Sequence, residues 1–154
     1  MNIGIIGGGQ LAQMLVLAGY PLGFRFTFLD PSPEACAAPL GEHLQGAYDD
    51  PQMLQRLAAT SDVVTYEFEN VPEAAVDYLS KRAVVHPGAN ALAVARDRFR
   101  EKSLCRELGL GTAAFLPVDT FAGLERAVEE IKLPAVLKTR TMGYDGKGQA
   151  VLRE

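Results

Sequence analysis

The stretch IGIIGGGQLAQML, residues 3–15, decides the fold. Residues 3–6 are apolar and mostly β-branched, which predicts a buried strand, and residues 10–18 have the spacing of a helix, with Leu11, Met14, Leu15 and Ala18 on one face. Three glycines join the two segments. A strand, a glycine turn and a helix in this order are typical of the first unit of a parallel α/β sheet.

The same alternation of strand and helix continues along the chain. Apolar runs predict strands at 24–29, 62–66 and 83–85, and helical patterns lie at 51–59, from 72 onward, at 91–108 and at 120–131. Parallel strands need crossover connections, so this alternation predicts an α/β fold with helices on both faces of a parallel sheet.

A second, smaller unit is predicted after this layer. Residues 135–138 and 149–152 form the strands of a hairpin, and the predicted domains are 1–95 and 96–154. A hairpin with one helix buries little apolar area and is marginal in water. The second unit is therefore expected to be incomplete.

Composition and charge exclude several classes of protein. The 154 residues carry a net charge of −4, which gives no basic field for nucleic acid or for an anionic membrane surface. No apolar run is long enough to span a bilayer, and the N-terminus lacks a signal-peptide pattern. Two separated cysteines and two histidines have no metal-ligand spacing. The sequence predicts a cytoplasmic protein without a metal site of its own.

The glycine turn fits the pattern G-x-G-x-x-A, with Gly7, Gly9 and Ala12 at the fixed positions. Backbone amides at such a turn approach phosphates, and Asp30 at the end of the second strand has the position that holds a ribose hydroxyl in dinucleotide-binding folds. The pattern also occurs where glycines serve only helix–strand packing. Both interpretations stay open at this point.

The segment TYEFENVP, residues 65–72, lies at the carboxyl end of a predicted strand, where ligands of open α/β sheets bind. Glu67, Glu69 and Asn70 offer acceptors for hydroxyl or amino groups. They also have the residue types that cap a helix, and spacing alone slightly favours caps for the helix that starts at Pro72. In residues 96–102, arginine and lysine side chains four apart predict a solvated, charged helix face.

The segment KTRTMGYDGKGQ, residues 138–149, is the clearest functional candidate. Lys138 ends a strand, three glycines predict a flexible loop, and Tyr144, Asp145 and Lys147 add polar groups able to close over a ligand. Flexible backbone amides with a lysine can cover nucleotide phosphates. The loop joins two strands and is not a P-loop.

Four segments together resemble the 5-(carboxyamino)imidazole ribonucleotide synthase family, the ATP-grasp enzymes of bacterial and fungal purine biosynthesis. They are IGIIGGGQLAQML, VVTYEFENVP, ARDR (residues 95–98) and PAVLKTRTMGYDGKGQ, and the resemblance extends over essentially all 154 residues. It implies a Rossmann-like pre-ATP-grasp domain followed by the first part of an ATP-grasp domain.

The resemblance also implies roles for individual residues. Gly9, Gln10, Leu11 and Glu67 match the positions that bind aminoimidazole ribonucleotide. Arg98 and Lys138 match the ATP-contacting arginine and lysine. The phosphate-covering loop corresponds to Gly143, Tyr144, Asp145, Gly146, Lys147, Gly148 and Gln149, of which Tyr144, Asp145 and Lys147 are expected at the reacting centre.

The implied reaction uses ATP to phosphorylate bicarbonate and transfers the carboxyl group to the exocyclic amine of the ribonucleotide, releasing ADP and phosphate. Family members are longer, are usually dimers and hold Mg²⁺ with residues that correspond to positions after Glu154. The chain is therefore expected to be an amino-terminal fragment without synthase activity by itself. The alternatives are another purine-pathway ATP-grasp ligase or transformylase, and an NAD(P)-binding domain.

Overall fold

The structure, a computed structural model, describes residues 1–153 and contains two compact units. The first comprises Met1–Leu92 and the second begins at Ala93. No helix in the described residues is long and apolar enough to cross a membrane.

The first unit is a five-stranded sheet with helices. Its elements are β1 (Asn2–Ile6), α1 (Gln10–Gly19), β2 (Arg25–Asp30), β3 (Glu42–Gln45), α2 (Pro51–Thr60), β4 (Val63–Tyr66), α3 (Glu73–Ser80) and β5 (Val84–Val85), followed by α4 (Ala89–Ala95). The strands are all parallel, in the order β3-β2-β1-β4-β5. The predicted α/β class and parallel sheet are confirmed.

The central strand β1 is covered on both faces. Ile5 and Ile6 are both fully buried, and they belong to different hydrophobic clusters, because successive residues of a strand point to opposite faces. Ile5 packs with Val16 and Phe28, whereas Ile6 packs with the cluster around Leu57 and Val76. A parallel sheet is stable only with both faces buried, which this division of the core provides.

Strand β3 is absent from the sequence prediction. Its four residues, EHLQ, include one buried apolar side chain, Leu44, so no hydrophobic run marks it. Its place is set by pairing with β2, in which Leu29 lies opposite Leu44. Tertiary contacts, and not local preference, define this edge strand.

Helix α1 presents an unexpected face to the sheet. The predicted apolar face points outward: Leu11, Met14 and Leu15 are 56%, 64% and 46% exposed. The buried residues are instead Ala12, Val16 and Gly19. A Cβ on Gly19 would lie 2.5 Å from the Phe26 ring, so the close approach of helix and sheet requires small residues on this side.

The second unit contains α5 (Arg98–Glu107), α6 (Phe121–Ile131) and an antiparallel hairpin of β6 (Ala135–Lys138) and β7 (Gln149–Leu152). The hairpin prediction is confirmed. The prediction of one helix over 91–108 is wrong, because α4 ends at Ala95 and a new helix starts at Arg98. Asp97 is extended, and its carboxylate accepts hydrogen bonds from the Phe99 and Arg100 amides, which ends one helix and starts the next.

Candidate functional site

The first candidate site lies at the carboxyl edge of the parallel sheet. The glycine loop, Gly7–Gly9, follows β1, while Asp30 ends β2 and Glu67 follows β4. Because β1 lies between β2 and β4, the two carboxylates flank the loop. The strand order reverses between β1 and β4, and this is where open α/β sheets bind ligands.

Gly7 starts the loop in a conformation that only glycine adopts easily. Its φ is +103°, and a Cβ there would lie 2.5 Å from Cγ of Glu67. The Gly7 amide donates to the Leu29 carbonyl at 2.8 Å, which ties the loop to β2. The glycine therefore allows the chain to turn while Glu67 approaches the backbone.

Glu67 holds the glycine loop and the start of α1 together. Its Oε1 accepts from the Gly9 amide at 2.8 Å, and its Oε2 accepts from the Ala12 amide at 2.7 Å. Both donors belong to the positive amino-terminal end of the helix, which favours a negative charge. The predicted substrate residues Gly9 and Glu67 are thus in direct contact, with Gln10 and Leu11 exposed beside them.

Asp30 is buried and turned toward the protein. Its Oδ2 accepts from the Gly8 amide at 2.8 Å and from the Tyr48 hydroxyl at 2.9 Å, and its Oδ1 accepts from the Ser32 amide at 2.8 Å. Only 7% of the residue is exposed. The carboxylate oxygens therefore already accept hydrogen bonds from the protein itself. This geometry argues against a role for Asp30 in holding a ribose hydroxyl of a dinucleotide.

Tyr48 is a member of the site that the sequence did not reveal. Burial, the hydrogen bond to Asp30 and the charges of Asp30 and Glu67 raise the pKa of its phenol above the usual value. The hydroxyl therefore remains a donor throughout the physiological range. Its ring packs against Phe68, with the centroids 5.3 Å apart. No motif surrounds Tyr48, so only the folded structure identifies it.

The interpretation of residues 67–70 as caps for the following helix is wrong. The N-cap of α3 is Pro72, and its first turn has no side-chain cap hydrogen bond. Glu67 instead bonds to α1, and Asn70 Nδ2 donates to Glu69 Oε1 at 3.3 Å. The acidic segment belongs to the edge of the sheet.

The second candidate site is the loop between β6 and β7. Lys138 is exposed at the end of β6, and the Thr139 amide donates to the Gly148 carbonyl at 2.8 Å, closing the base of the loop. At the tip, Lys147 Nζ donates to the Tyr144 hydroxyl at 3.0 Å. Asp145 lies between these two residues with a positive φ of 45°.

The base of this loop is fixed to the start of α5. Arg140 Nη2 donates to Asp97 Oδ2 at 2.7 Å, and the Arg140 carbonyl accepts from the Arg98 amide at 2.9 Å. The Arg98 side chain in turn donates to the Gly143 carbonyl at 3.0 Å. The structure thus brings Arg98 into contact with the loop, whereas the sequence analysis had predicted that residues 96–102 form a solvated helix face.

A cavity of about 530 Å³ lies beside this loop within the second unit. This volume is in the range of small-molecule sites. Its lining combines cationic and apolar side chains, among them Arg98, Lys138, Arg140, Phe115, Val128 and Leu137. The two residues expected to contact ATP therefore line one cavity.

Asp97→Ala is expected to lower the free energy of unfolding of the second unit by about 1 kcal/mol, the usual value of an N-cap, and to loosen the loop base. Partial burial acts to raise the pKa of Asp97, but hydrogen bonds from Arg140, Arg100 and Phe99 lower it below the usual value. The contribution is therefore present above pH about 4 and is lost as the pH falls further.

Asp50→Ala is the matched control for this prediction. Asp50 caps α2 through the Gln52 and Met53 amides, and no arginine within residues 1–153 forms an ion pair with its carboxylate. Thermal unfolding between neutral and acidic pH measures both effects, and limited trypsin digestion measures cleavage within residues 139–148. Faster cleavage in Asp50→Ala than in Asp97→Ala would contradict the assignment of Asp97 to the loop base.

Other side chains suggest no metal centre. Within residues 1–153, no three His, Cys, Asp or Glu residues form a group able to hold a metal ion. Cys36 is exposed, Cys105 is half-buried, and neither is in a disulfide.

Two protein-family models match the chain in succession. Residues 1–96 match the ribonucleotide synthetase preATP-grasp domain, and residues 103–154 match the ATP-grasp domain. The first of these matches covers the parallel sheet and the glycine loop. The second covers the second half of α5, all of α6 and the hairpin with its loop.

Two similar proteins carry nearly the same name. The chain is 56% identical over 154 residues to N5-carboxyaminoimidazole ribonucleotide synthase of Pseudomonas aeruginosa, covering 100% of this chain and 43% of that protein. The crystal structure of N5-carboxyaminoimidazole ribonucleotide synthetase from Thermus thermophilus is 51% identical to this chain, with a TM-score of 0.90. The match covers 99% of this chain and 41% of that one.

A third similar structure contains ligands. N5-carboxyaminoimidazole synthase from Aspergillus clavatus, in complex with ADP and 5-aminoimidazole ribonucleotide, is 26% identical with a TM-score of 0.86; the match covers 99% of this chain and 40% of that one. The chain thus spans about two fifths of the length of the relatives it matches.

Proposed function

The chain belongs to the ribonucleotide synthetase preATP-grasp domain family, and from this premise we propose that it supplies part of an ATP-dependent carboxylating ligase. The reaction converts 5-aminoimidazole ribonucleotide, bicarbonate and ATP to 5-(carboxyamino)imidazole ribonucleotide, ADP and phosphate, in purine biosynthesis. The observation that carries the proposal is the pair of hydrogen bonds that the Glu67 carboxylate accepts from the Gly9 and Ala12 amides, at the point where the strand order reverses.

The first unit, within residues 1–95, is assigned to the ribonucleotide. Each Glu67 oxygen accepts one hydrogen bond, one from the glycine loop and one from α1. A carboxylate has about four acceptor positions in all, so two remain for a ligand. A group facing Glu67 must then be a donor, such as an amine or a hydroxyl. Gln10 and Leu11 are exposed and lie between Gly9 and Ala12, the two donors to Glu67, so we assign Gly9, Gln10 and Leu11 with Glu67 to substrate binding.

The second predicted domain, residues 96–154, is assigned to ATP. Arg98 and Lys138 line the same cavity and supply positive charge for phosphate oxygens, while its apolar lining suits a purine ring. Gly143, Tyr144, Asp145, Gly146, Lys147, Gly148 and Gln149 form the covering loop. Its function is to exclude water, because carboxyphosphate formed from bicarbonate hydrolyses readily.

Several features of the proposal come from the resemblance. Bicarbonate is the co-substrate, Tyr144, Asp145 and Lys147 are placed at the reacting centre, and the protein is cytoplasmic and homodimeric. ATP-grasp chemistry also uses Mg²⁺, but residues 1–153 contain no fitting cluster of ligands, so no step is assigned to the metal.

Two other functions are less well supported. Another purine-pathway ATP-grasp ligase or transformylase would share the unit architecture, but the three similar proteins described above carry the carboxylating name. An NAD(P)-binding domain would need Asp30 accessible, whereas its carboxylate already accepts three hydrogen bonds from the protein.

Thermal melting with 5-aminoimidazole ribonucleotide, MgATP and NADH tests these functions. A ligand that binds only the folded chain stabilises it by RT ln(1 + [L]/Kd), about 2.7 kcal/mol at a hundredfold excess over Kd. We expect a higher melting temperature with the ribonucleotide and no change with NADH. The riboside without its phosphate is the matched control, expected to bind more weakly. A shift with NADH alone would overturn the proposal.

A further inference from the structure

We propose that Arg140 is a positioning residue for nucleotide binding, because it fixes Arg98 and the loop between β6 and β7 in one arrangement. The inference rests on the proposed function, in which Arg98 and Lys138 supply positive charge for the phosphates of ATP. Arg140 lies at the base of the loop, two residues after Lys138. Its guanidinium is directed to Asp97, so its effect on a ligand passes through other residues.

The guanidinium of Arg140 is held by a carboxylate and by an aromatic ring. Nη2 donates to Asp97 Oδ2 at 2.7 Å and Nε donates to Asp97 Oδ1 at 3.4 Å, which is the paired arrangement that a planar guanidinium forms with a carboxylate. Its Cζ also lies 5.3 Å from the centroid of the Phe99 ring, a cation–π contact. The Asp97 side chain is 14% exposed, so water and salt screen this ion pair less than one on the open surface.

Two further contacts extend this connection to Arg98 and to the loop. The Arg140 carbonyl accepts from the Arg98 amide at 2.9 Å, and Arg98 Nη2 donates to the Gly143 carbonyl at 3.0 Å. Arg98 begins α5 directly after Asp97, the N-cap. The ion pair, the main-chain hydrogen bond and the Arg98 side chain therefore join the start of α5 to the loop at three points.

This connection matters for a ligand because the two proposed phosphate-binding cations come from different elements. Arg98 begins α5 and Lys138 ends β6, and both line the same cavity. An arginine that is already held in place loses less conformational entropy when it binds an anion. The Gly143 carbonyl accepts from only one of the N–H donors that a guanidinium has, so Arg98 can still bind phosphate oxygens. Arg140 thus raises the affinity for ATP without contacting it.

Isothermal titration calorimetry of MgATP with the 154-residue chain and its variants tests the inference. Arg140→Gln is expected to weaken MgATP binding about 3- to 10-fold, since the freed Arg98 side chain must then be ordered on binding. Arg140→Lys should restore part of the affinity, because it returns the charge but not the paired contact. Arg100→Gln removes the same charge from an exposed position of α5 and should leave the affinity unchanged.

Asp97→Asn distinguishes positioning from a direct contact between Arg140 and phosphate. Asparagine still caps α5 through its carbonyl oxygen but loses the ion pair. If Arg140 acts by positioning, Asp97→Asn and Arg140→Gln weaken binding by similar factors, and the double variant is no weaker than either single variant. An Asp97→Asn chain that binds MgATP as tightly as the wild type, or more tightly, would overturn the inference, because it would mean that Arg140 is more effective when released.

Hydrogen exchange of the ligand-free chain provides a measurement that does not depend on ATP. The Arg98 amide donates to the Arg140 carbonyl, so it should exchange several-fold faster in Arg140→Gln and Asp97→Asn but not in Arg100→Gln. Circular dichroism verifies that each variant is folded. Unchanged exchange together with unchanged MgATP affinity in Arg140→Gln would overturn the inference and leave the proposed function standing. A wild-type chain that binds no MgATP would overturn the assignment of this domain to ATP, and the inference with it.

Discussion

Asp30→Ala is expected to lower the free energy of unfolding by roughly 3–5 kcal/mol, a large part of the total stability of an ordinary domain. The variant leaves three donors without their acceptor: the Gly8 and Ser32 amides and the Tyr48 hydroxyl. Unpaired buried donors lose their full hydration, so the cost exceeds that of a simple hydrogen bond. Urea denaturation followed by far-ultraviolet circular dichroism measures the loss.

Two other variants provide reference values for the loss of stability in Asp30→Ala. Asp62 accepts a hydrogen bond from the Asn2 amide at 2.7 Å, but this contact is exposed at the opposite end of the sheet, so Asp62→Ala should cost about 1 kcal/mol or less. Tyr48→Phe removes one of the three donors to Asp30 and should fall between the two. An Asp30→Ala chain as stable as Asp62→Ala would mean that the carboxylate is available for a ligand, as in dinucleotide-binding domains.

Much of the fold is predictable because the sequence patterns that specify it involve residues close together in the chain. The buried run of β1, the glycine turn and the helical spacing of α1 each depend on neighbouring residues, and together they specify a parallel α/β unit. Periodicity does not determine which helix face is buried when both faces are apolar. In α1 the closeness of the sheet selects the small residues Ala12 and Gly19, and the larger leucines remain outside.

The candidate sites are less predictable, because they depend on contacts distant in sequence. Motifs correctly placed Glu67 at the edge of the sheet, but its partners Gly9 and Ala12 are 58 and 55 residues away. Tyr48 has no motif at all. Similarly, Asp97 and Arg140, which fix the base of the loop between β6 and β7 to the start of α5, are 43 residues apart. Asp97 also caps α5, and this cap explains the break between α4 and α5.

Glu67→Gln is expected to separate the two functions of this side chain. The amide keeps one acceptor oxygen but turns an NH₂ group toward the Gly9 or Ala12 amide, so we expect a loss of about 1.5–3 kcal/mol in the free energy of unfolding. If the remaining acceptor positions bind the ribonucleotide, its affinity should fall by roughly 10- to 100-fold as one charged hydrogen bond is lost. Binding of MgATP should not change.

Glu69→Gln is the control that makes the result specific. It removes the same charge two residues away, from a carboxylate whose side chain contacts Asn70, and it should leave both stability and ribonucleotide affinity nearly unchanged. The shift in melting temperature that each ligand causes, measured from the ligand-free melting temperature of the same variant, distinguishes the outcomes. Loss of stability with unchanged ribonucleotide affinity would make Glu67 purely a clamp for the loop, and the acceptors for the substrate amine would then have to be sought elsewhere along the carboxyl edge of the sheet.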